Sequence, residues 1–282
     1  MEKKMLDFTN TTANDWNFAL EEITPEVGGI PVEGYKALRR ADTGEVLKIH
    51  PDSYTVLPHD DVVNAAYDAV KEANLSSDFS VDVQCLNSGR QLKGTILFND
   101  LTIEPAVGDH VKLEMQFFNS YDGSWAYSNQ LAGLRLVCTN GMVTPQNITR
   151  TWQRHTSQIS TVGNVAQLAR GMDMFMSNKE EWQRYMKVKV ERQQCEEFFK
   201  STLVKRRSKS SDERHNMKQL DVLMGQLDEE FATLGRNQWA LYNCLTHWSS
   251  HTAQSSNPAA QQRSREGKVA AAMNSKFWKE LA

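Results

Sequence analysis

The sequence predicts an α+β fold, in which a twisted antiparallel sheet in the N-terminal half is packed with a helical C-terminal half. Between residues 35 and 143, apolar and polar residues alternate in short runs separated by turn residues, which is typical of half-buried strands. After Pro145 the apolar residues recur every three or four positions, which is typical of helices. A chain of 282 residues can also bury a sizeable core.

Three parts are expected along the chain: an N-terminal arm over 1–33, an antiparallel sheet core with one helix over 34–158, and a helical region over 159–282. The arm is polar and acidic, with a short helix expected at 15–22. In the core, a strand from Tyr35 is followed by an Asp-Thr-Gly turn and a second strand at 45–49. Helical spacing of apolar residues then predicts a helix beginning near His59.

A sheet meander follows this helix. Strands are expected at 79–86, 91–98, 101–104 and 111–118, and Asp122-Gly123 is a strong hairpin signal before further strands at 125–129 and 131–138. In the C-terminal half, 160–203 predicts one long helix or two, with a break near Ser177-Asn178. Three more helices are expected at 216–234, 239–251 and 263–281.

The charge is divided unevenly. The net formal charge is −3, yet residues 1–134 carry 10 lysines and arginines against 21 acids, a balance of −11. Residues 135–282 carry 22 against 14, a balance of +8. Such asymmetry indicates a basic working surface. The alternative, that the two halves pack together and neutralise each other, stays open.

The basic region from Glu181 to Lys218 is the first candidate site. It holds eleven lysines and arginines against six acids, interleaved with aromatic residues. Flexible cations can follow a phosphate backbone, and aromatic rings can stack on the bases of a single strand. A solvated helix face whose aromatics lie in the core is the alternative. The nucleic-acid-binding candidates are Arg135, Arg154, Trp182, Arg184, Tyr185, Lys187, Lys189, Lys205, Arg206 and Arg207.

Polar residues at the predicted strand ends form the second candidate site. Arg135 lies within a strand, so its side chain lies either on a solvated face or where it can meet an anion. His155 could act as a base or be structural, and Asn140-Gly141 can be ordinary turn chemistry. The polar set comprises Asn119, Asp122, Ser124, Arg135, Cys138, Asn140, His155 and Thr156.

No metal or cofactor is predicted. Cys244, His247 and His251 share a helical face, but zinc usually takes four ligands and no CxxC partner exists, so we favour a packed cysteine with two polar-face histidines. The four cysteines are scattered, which favours reduced thiols. Walker, GxGxxG, GxSxG and HExxH motifs are missing, which disfavours standard hydrolases and NTPases. The sequence has neither a long apolar run nor a signal core, which predicts a cytosolic protein without a membrane span.

Four separated blocks resemble an uncharacterised phage/plasmid-like family of unknown function: GYKALRRADTGEVLKIHPDSYTVL, NSYDGSWAYSNQLAGLRLVCTNGM, RHT and RNQWALYNCLTHWSSH. Members are carried by bacteriophages, prophages and conjugative plasmids, so the resemblance implies a mobile-element protein of the bacterial cytoplasm. The family's recurrent N-S-x-D-G-S, R-x-V-C-x-N and R-H-T motifs match here, although Tyr121 stands where members often have His, and Asn140-Gly141-Met142 replaces an Asn-Thr-Leu type of ending. The matching positions are Asn119, Ser120, Asp122, Gly123, Ser124, Arg135, Val137, Cys138, Asn140, Arg154, His155 and Thr156.

The leading hypothesis is a DNA-metabolism protein of a mobile element that binds single-stranded DNA and anneals strands in recombination as a homo-oligomer. The order of a β meander followed by helices is similar to the core of phage single-strand annealing proteins, which is an analogy of fold alone. One alternative is an enzyme of unassigned reaction with its site at Asn119, Arg135, Asn140 and His155. Another is an anti-defence protein whose acidic half binds a host factor.

Overall fold

The computed structural model describes residues 16–135, 140–142, 150–161, 164–206, 214–251 and 258–281. Strands fill the N-terminal half and helices fill the C-terminal half, so the predicted α+β class is confirmed. The strands are β1 (Leu20–Ile23), β2 (Glu26–Val27), β3 (Ile30–Pro31), β4 (Tyr35–Arg40), β5 (Val46–Pro51), β6 (Phe79–Leu86), β7 (Gln91–Ala106), β8 (Asp109–Ser120), β9 (Tyr127–Arg135), β10 (Asn140–Met142), β11 (Arg150–Gln153), β12 (Lys205–Arg206) and β13 (Arg214–His215). The helices are α1 (His59–Ala73), α2 (Asn164–Lys187), α3 (Arg192–Thr202), α4 (Met217–Leu234), α5 (Gln238–Ser250), α6 (Pro258–Met273) and α7 (Lys276–Glu280).

The main sheet has the strand order β10-β9-β8-β7-β6, and β11 also pairs with β9. The β6–β7 ladder is antiparallel and runs without a slip from Phe79 opposite Phe98 to Leu86 opposite Gln91. A smaller sheet has the order β1-β4-β5, and β2–β3 and β12–β13 form two-stranded ribbons.

Close packing of one sheet face explains a glycine in the middle of β7. Leu92, Gly94, Ile96 and Phe98 alternate with half-buried residues and form the buried face of that strand. A Cβ on Gly94 would lie 1.9 Å from Cζ of Phe117, because the ring of Phe117 covers this position. The aromatic side chain takes the space that a larger residue at position 94 would need.

Helix α1 buries an apolar stripe. Val62, Val63, Ala66 and Val70 are fully buried, as the helical spacing predicts. Two aspartates in the first turn interact favourably with the positive, N-terminal end of the helix dipole and stabilise the helix. Asn74 ends the helix in the left-handed conformation, with φ at 49°.

The chain forms two compact units. Unit 1 comprises Met1–Leu101, Leu113–Leu131 and Thr149–Asp173, and unit 2 comprises Thr102–Lys112, Ala132–Ile148 and Met174–Ala282. Each unit therefore takes residues from both sides of residue 158.

Helix α5 is the centre of unit 2. Eleven of its thirteen residues are buried, and α4, α6 and β10 all contact it. Asn237 caps its N-terminus by accepting a hydrogen bond from the Ala240 amide at 2.9 Å. On the same helix, the Trp239 indole N–H donates to the buried Asp109 carboxylate at 2.7 Å. Helix α5 is therefore buried on almost all sides, unlike an amphipathic helix with one exposed face.

Four features differ from expectation. β1 replaces the helix expected at 15–22, because Leu20–Ile23 pairs in register with β4. The break in the long helical region lies at 188–191 and not at Ser177-Asn178, because Lys189 bridges Asn237 and the Gln238 amide donates to the Val188 carbonyl. β7 continues through Asn99-Asp100, where a turn was expected, and β9 is one strand where separate strands at 125–129 and 131–138 were expected. Within the described parts of the chain, no helix has the length and apolar character to cross a membrane.

Candidate functional site

A stack of three rings lies beside the turn between β8 and β9 in unit 1. The rings of His50 and Tyr54 are 3.7 Å apart and nearly parallel, and the ring of His155 lies 4.9 Å beyond Tyr54. Nε2 of His50 donates to the Tyr121 carbonyl at 2.7 Å, and the Tyr54 hydroxyl donates to the Ser120 carbonyl at 2.9 Å. Two members of the stack are therefore bonded to the end of β8.

His155 is joined to the segment after β5 by a reciprocal pair of hydrogen bonds. Its Nδ1 donates to the Thr55 carbonyl at 3.1 Å, and the Thr55 amide donates to the His155 carbonyl at 3.1 Å. The tautomer that donates from Nδ1 leaves Nε2 with a lone pair, and that buried atom has no hydrogen-bond partner. Burial lowers the pKa of His155, against the smaller opposing effect of the Thr55 carbonyl. The ring is therefore neutral near pH 7.

A second stacked pair, His59 on Tyr121, lies next to this cluster, with ring centroids 3.7 Å apart. His59 Nε2 donates to the Gly89 carbonyl at 3.1 Å, while Nδ1 accepts from the Asn119 amide at 3.0 Å. Asn119 also donates to the Leu57 carbonyl at 2.8 Å. Burial lowers the pKa of His59 to about 3, so this ring is a neutral part of the scaffold.

The turn between β6 and β7 adopts a conformation that matches its role as an acceptor for His59. Asn87, Ser88 and Gly89 all have positive φ, at 53°, 58° and 91°. A Cβ on Gly89 would lie 2.7 Å from the ring of Phe18. The Arg90 carbonyl of the same turn accepts the Tyr121 amide at 2.7 Å. Left-handed backbone in this turn thus places two consecutive carbonyls against the aromatic cluster.

The predicted hairpin signal forms the outer rim of the cluster. Asp122 accepts the Ser124 amide at 2.9 Å, and Gly123 has φ at 71° with a Cβ position 3.4 Å from His50. Ser124 also accepts from Gln91 Nε2 at 2.7 Å. Asp122 raises the pKa of Tyr54, although burial is the larger cause. The half-buried carboxylate and the exposed hydroxyl are the parts of the motif nearest to solvent.

The structure brings together Asn119, Asp122, Ser124 and His155, all of which lie in unit 1 around the end of β8. Thr156 follows His155 and is exposed. Arg135 and Asn140 are direct register partners in β9 and β10 of unit 2, and Cys138 lies outside the described residues. His50, Tyr54 and His59 complete the cluster and were missed, because no local sequence pattern indicates that the end of β5 lies next to the end of β8.

The aromatics expected to stack on bases lie in the core of unit 2, so that expectation is wrong. Trp182 and Tyr185 are each 1% exposed. Trp182 packs against Trp239, and Tyr185 packs against Tyr242 and Trp278. The stripe of apolar residues on α2 includes both rings, and burying such large rings stabilises the fold more than exposing them. The alternative reading of this helix, with its aromatics in the core, is confirmed.

The cations of the same region fall into two groups. Arg192 forms a two-bonded pair with Asp228, at 2.8 and 3.0 Å, and Lys200 pairs with Glu196 at 2.6 Å. Lys187 and Lys189 are exposed and belong to none of the ion pairs found among the described residues. Arg184 is exposed, lies 4.0 Å from Glu181 and also covers the Tyr185 ring. Arg207 and the side chains of Lys205 and Arg206 lie outside the described residues.

One tryptophan is exposed. Trp152 on β11 is 58% exposed, whereas the other six tryptophans are 7% exposed or less. Two residues later the predicted Arg154 is exposed as well. The preceding and intervening side chains hold the strand in place, because Thr151 donates to Gln167 at 3.2 Å and Gln153 donates to the Ser160 carbonyl at 2.7 Å. The alternation Arg150-Thr-Trp-Gln-Arg154 was the signal available in the sequence.

Polar side chains continue from Trp152 across the sheet. Trp152 is the register partner of Ser128 on β9, so the two side chains share a face. Two residues along β9, Gln130 donates to Gln116 of β8 at 2.7 Å, and Gln116 in turn donates to Glu114. Gln130 and Gln116 are half-buried. The face beside the indole therefore carries side-chain amides.

The cysteine-histidine set on α5 is packed as a structural group. The Cys244 thiol donates to the Leu223 carbonyl at 3.3 Å in the core, and burial raises its pKa. His247 and His251 stack on each other with centroids 4.1 Å apart. The residues that the structure describes contain no group of three or more histidines, cysteines and acids placed to hold a metal.

Comparison with known proteins gives a family. No curated protein and no solved structure matches the chain. A family model described as a domain of unknown function matches residues 46–278, which spans β5 to α7 and includes both the ring cluster and β11. The chain therefore belongs to the domain of unknown function family DUF932.

Proposed function

We propose that this protein binds single-stranded DNA, with a base stacked on Trp152 and a phosphate contacted by Arg154 in unit 1. Exposed cations of α2 and of the segment after it, in unit 2, are proposed as further phosphate contacts. We further propose that it acts in the bacterial cytoplasm as a homo-oligomeric, mobile-element protein that anneals strands. The mobile-element part rests on the resemblance of the four sequence blocks, and the annealing part on the order of sheet and helices.

The exposure of Trp152 is the observation that supports the proposal most strongly. A large apolar ring in water costs free energy unless a partner covers it, and the other six tryptophans of this chain are buried. Single-stranded nucleic acids offer unpaired bases, and each base stacked on an aromatic residue contributes about 1–3 kcal/mol. Bases inside a duplex are already stacked, so the indole favours single strands.

Charge next to the indole supports the same ligand. Arg154 is exposed two residues after Trp152, and a stacked base places its own phosphate within reach of such a neighbour. In unit 2, Lys187 and Lys189 are two further exposed charges that belong to none of the ion pairs found among the described residues. The amides of Gln116 and Gln130 share the sheet face with Trp152 and can exchange hydrogen bonds with base edges.

Titration of a fluorescein-labelled oligo(dT) with the protein, followed by anisotropy, tests the proposal. Trp152→Ala should weaken binding by roughly 5- to 150-fold, the equivalent of about 1–3 kcal/mol. Trp152→Phe, which keeps a stacking ring, should recover most of the affinity. Competition with unlabelled duplex of the same length should require a large excess.

Tyr35→Ala is the matched control, because Tyr35 on β4 is an exposed aromatic outside the proposed surface. Its affinity should equal that of the wild type. Equal affinities of wild type, Trp152→Ala and Tyr35→Ala would rule out the stacking role. Failure of the wild type to bind at low ionic strength would rule out the function itself.

An enzyme is the second candidate, favoured by one observation. Nε2 of His155 carries an unpartnered lone pair while Nδ1 is fixed on a carbonyl, which is the tautomer that a general base needs. Because that atom is buried, a substrate could reach it only through a local opening. Loss of biological activity in His155→Gln with unchanged DNA affinity would favour this candidate over DNA binding.

A further inference from the structure

We propose that His155 is a positioning residue that holds Trp152 and Arg154 in place for the strand and releases them when it becomes protonated, so that DNA binding is sensitive to acid. This inference rests on the proposed function, but its structural half can be tested without DNA. Its basis is a continuous set of contacts from the end of β8 to the end of β11.

First, His155 lies close to Trp152 and Arg154 along the chain. Arg154 precedes His155, and Trp152 is the third residue before it, so the position of the imidazole constrains the end of β11 directly. On the other side of β11, Gln153 forms a two-way hydrogen-bonded pair with the backbone of Ser160, at 2.7 and 2.9 Å. The exposed pair is thus placed by a β-ladder before it and by the His155 contacts after it.

The second step is the anchoring of His155 itself. Both its main chain and its Nδ1 bond to Thr55, and its ring stacks on Tyr54. Tyr54 and His50 are bonded in turn to the carbonyls of Ser120 and Tyr121. The stack therefore connects the end of β11 to β8, which is an interior strand of the main sheet.

The third step is the effect of a proton. A charged imidazolium in this buried position would lose solvation, and the Trp125 carbonyl, which faces the ring, would offset only part of that loss. The groups that face the ring are His50 across Tyr54, His59 in the neighbouring stack, and the carbonyls of Thr55 and Trp125. Asp122 lies in the same cluster and favours the charged form of His59. Burial outweighs the carbonyls, so the folded-state pKa of His155 lies below 6.5.

Lowering the pH should weaken the anchoring of His155. A histidine with a depressed folded-state pKa contributes stability that is complete above 6.5 and is lost as pH falls through the folded-state value. The wild type should therefore lose affinity for oligo(dT) as the pH is lowered from 7.5 to below 6.5. Phosphate contacts alone would not produce this loss, because lysine and arginine stay charged throughout that range.

His155→Gln provides the decisive variant, since its amide can still donate to Thr55 but cannot titrate. At pH 7.5 it should bind within about threefold of the wild type, and at pH 5.5 it should bind at least fivefold more tightly than the wild type. His110→Gln, at an exposed histidine of β8, should keep the wild-type pH profile. Identical profiles of wild type and His155→Gln would overturn the inference.

A second measurement separates this inference from the DNA-binding proposal. Amide hydrogen exchange across residues 150–156, corrected for the intrinsic effect of pH, should accelerate below pH 6.5 in the wild type and not in His155→Gln. That result without any DNA binding would keep the positioning role and overturn the proposed function. Unchanged exchange in the wild type would overturn the positioning role whatever the DNA results.

Discussion

Asn119 links three parts of unit 1 through one amide group. Asn119 is the second-last residue of β8 and is fully buried. Its side-chain amide donates to the Leu57 carbonyl and to Nδ1 of His59. The sequence placed Asn119 at a strand end but could not distinguish a catalytic amide from a structural one. The geometry assigns it to the scaffold, because both of its N–H groups are used inside the protein.

Replacing this amide should cost stability. Asn119→Leu keeps the approximate volume and leaves two buried acceptors unpaired, each of which costs about 1–3 kcal/mol. We expect the midpoint of urea unfolding to fall clearly, while Asn274→Ala, at an exposed asparagine of unit 2, should change stability by less than about 0.5 kcal/mol. An Asn119→Leu midpoint equal to that of the wild type would contradict the scaffold role.

His59 should make the fold sensitive to acid. Its folded-state pKa is about 3 against an ordinary 6.5, so its neutral form contributes stability above pH 6.5 that is lost as the pH falls toward 3. A shift of this size corresponds to at most ~5 kcal/mol at about 1.4 kcal/mol per pKa unit. Urea unfolding of wild type and His59→Gln between pH 7 and 4 checks this, and the variant should show the shallower dependence. Parallel curves would contradict it.

At the scale of elements, the sequence located most strands and helices but not their lengths. Helix α1 begins where helical spacing begins, whereas β7 continues through Asn99-Asp100, which looked like a turn. Asn99 remains in the ladder because its amide nitrogen donates to the Asp78 carbonyl at 2.8 Å and its side chain bonds to Asp78. Residues that favour turns form a turn only when the neighbouring strand also ends at that point. The position of the neighbouring strand's end is set by residues elsewhere in the sequence.

Local sequence pattern also does not show which aromatic side chains are buried. Trp182 and Trp152 both lie in amphipathic patterns with cations nearby. The ring of Trp182 is buried in the hydrophobic core, whereas the ring of Trp152 is exposed to solvent. On α2 the partner helix α5 supplies Trp239 and Tyr242 as neighbours, and no local pattern reveals this. On β11 the alternation of Trp152 with Thr151 and Gln153 was readable, but the existence of a strand at 150–153 was not.

Two glycines offer a test of packing at this scale. Gly94→Ala would place a methyl group within the ring of Phe117 and should destabilise the protein by about 1–3 kcal/mol or more. Gly225→Ala, on an exposed position of α4 with no atom near the added Cβ, should stabilise it by about 0.5–1 kcal/mol. Thermal unfolding of both variants checks the pair, and a stable Gly94→Ala protein would refute the packing of β7 against β8.

At the scale of the whole molecule, the division of charge is partly local in origin. Acids of the N-terminal half are paired with nearby cations, as in Glu21 with Arg39, Glu22 with Lys36 and Glu45 with Arg90. Such pairing reduces the acidic surface that a nucleic-acid mimic directed at a host protein would need. The excess of positive charge after residue 135 would favour the phosphate contacts that we propose.

Salt dependence measures how many of these cations work. Each phosphate contact with a single strand adds about 0.7 to the slope of log affinity against log salt. Lys187→Ala combined with Lys189→Ala should therefore reduce the slope by up to ~1.4. Arg192→Ala should leave it unchanged, because Arg192 is held by Asp228. An equal reduction in both proteins would indicate a general effect of net charge and would contradict a specific surface.

Photo-crosslinking to an oligonucleotide that carries 5-iodouracil would show whether a base stacks on Trp152, because the excited base joins to an aromatic side chain stacked on it. We expect the crosslinked peptide to contain Trp152, and we expect Trp152→Ala to abolish this crosslink while Tyr35→Ala does not. Crosslinks that map elsewhere in the chain, and that survive in Trp152→Ala, would contradict it.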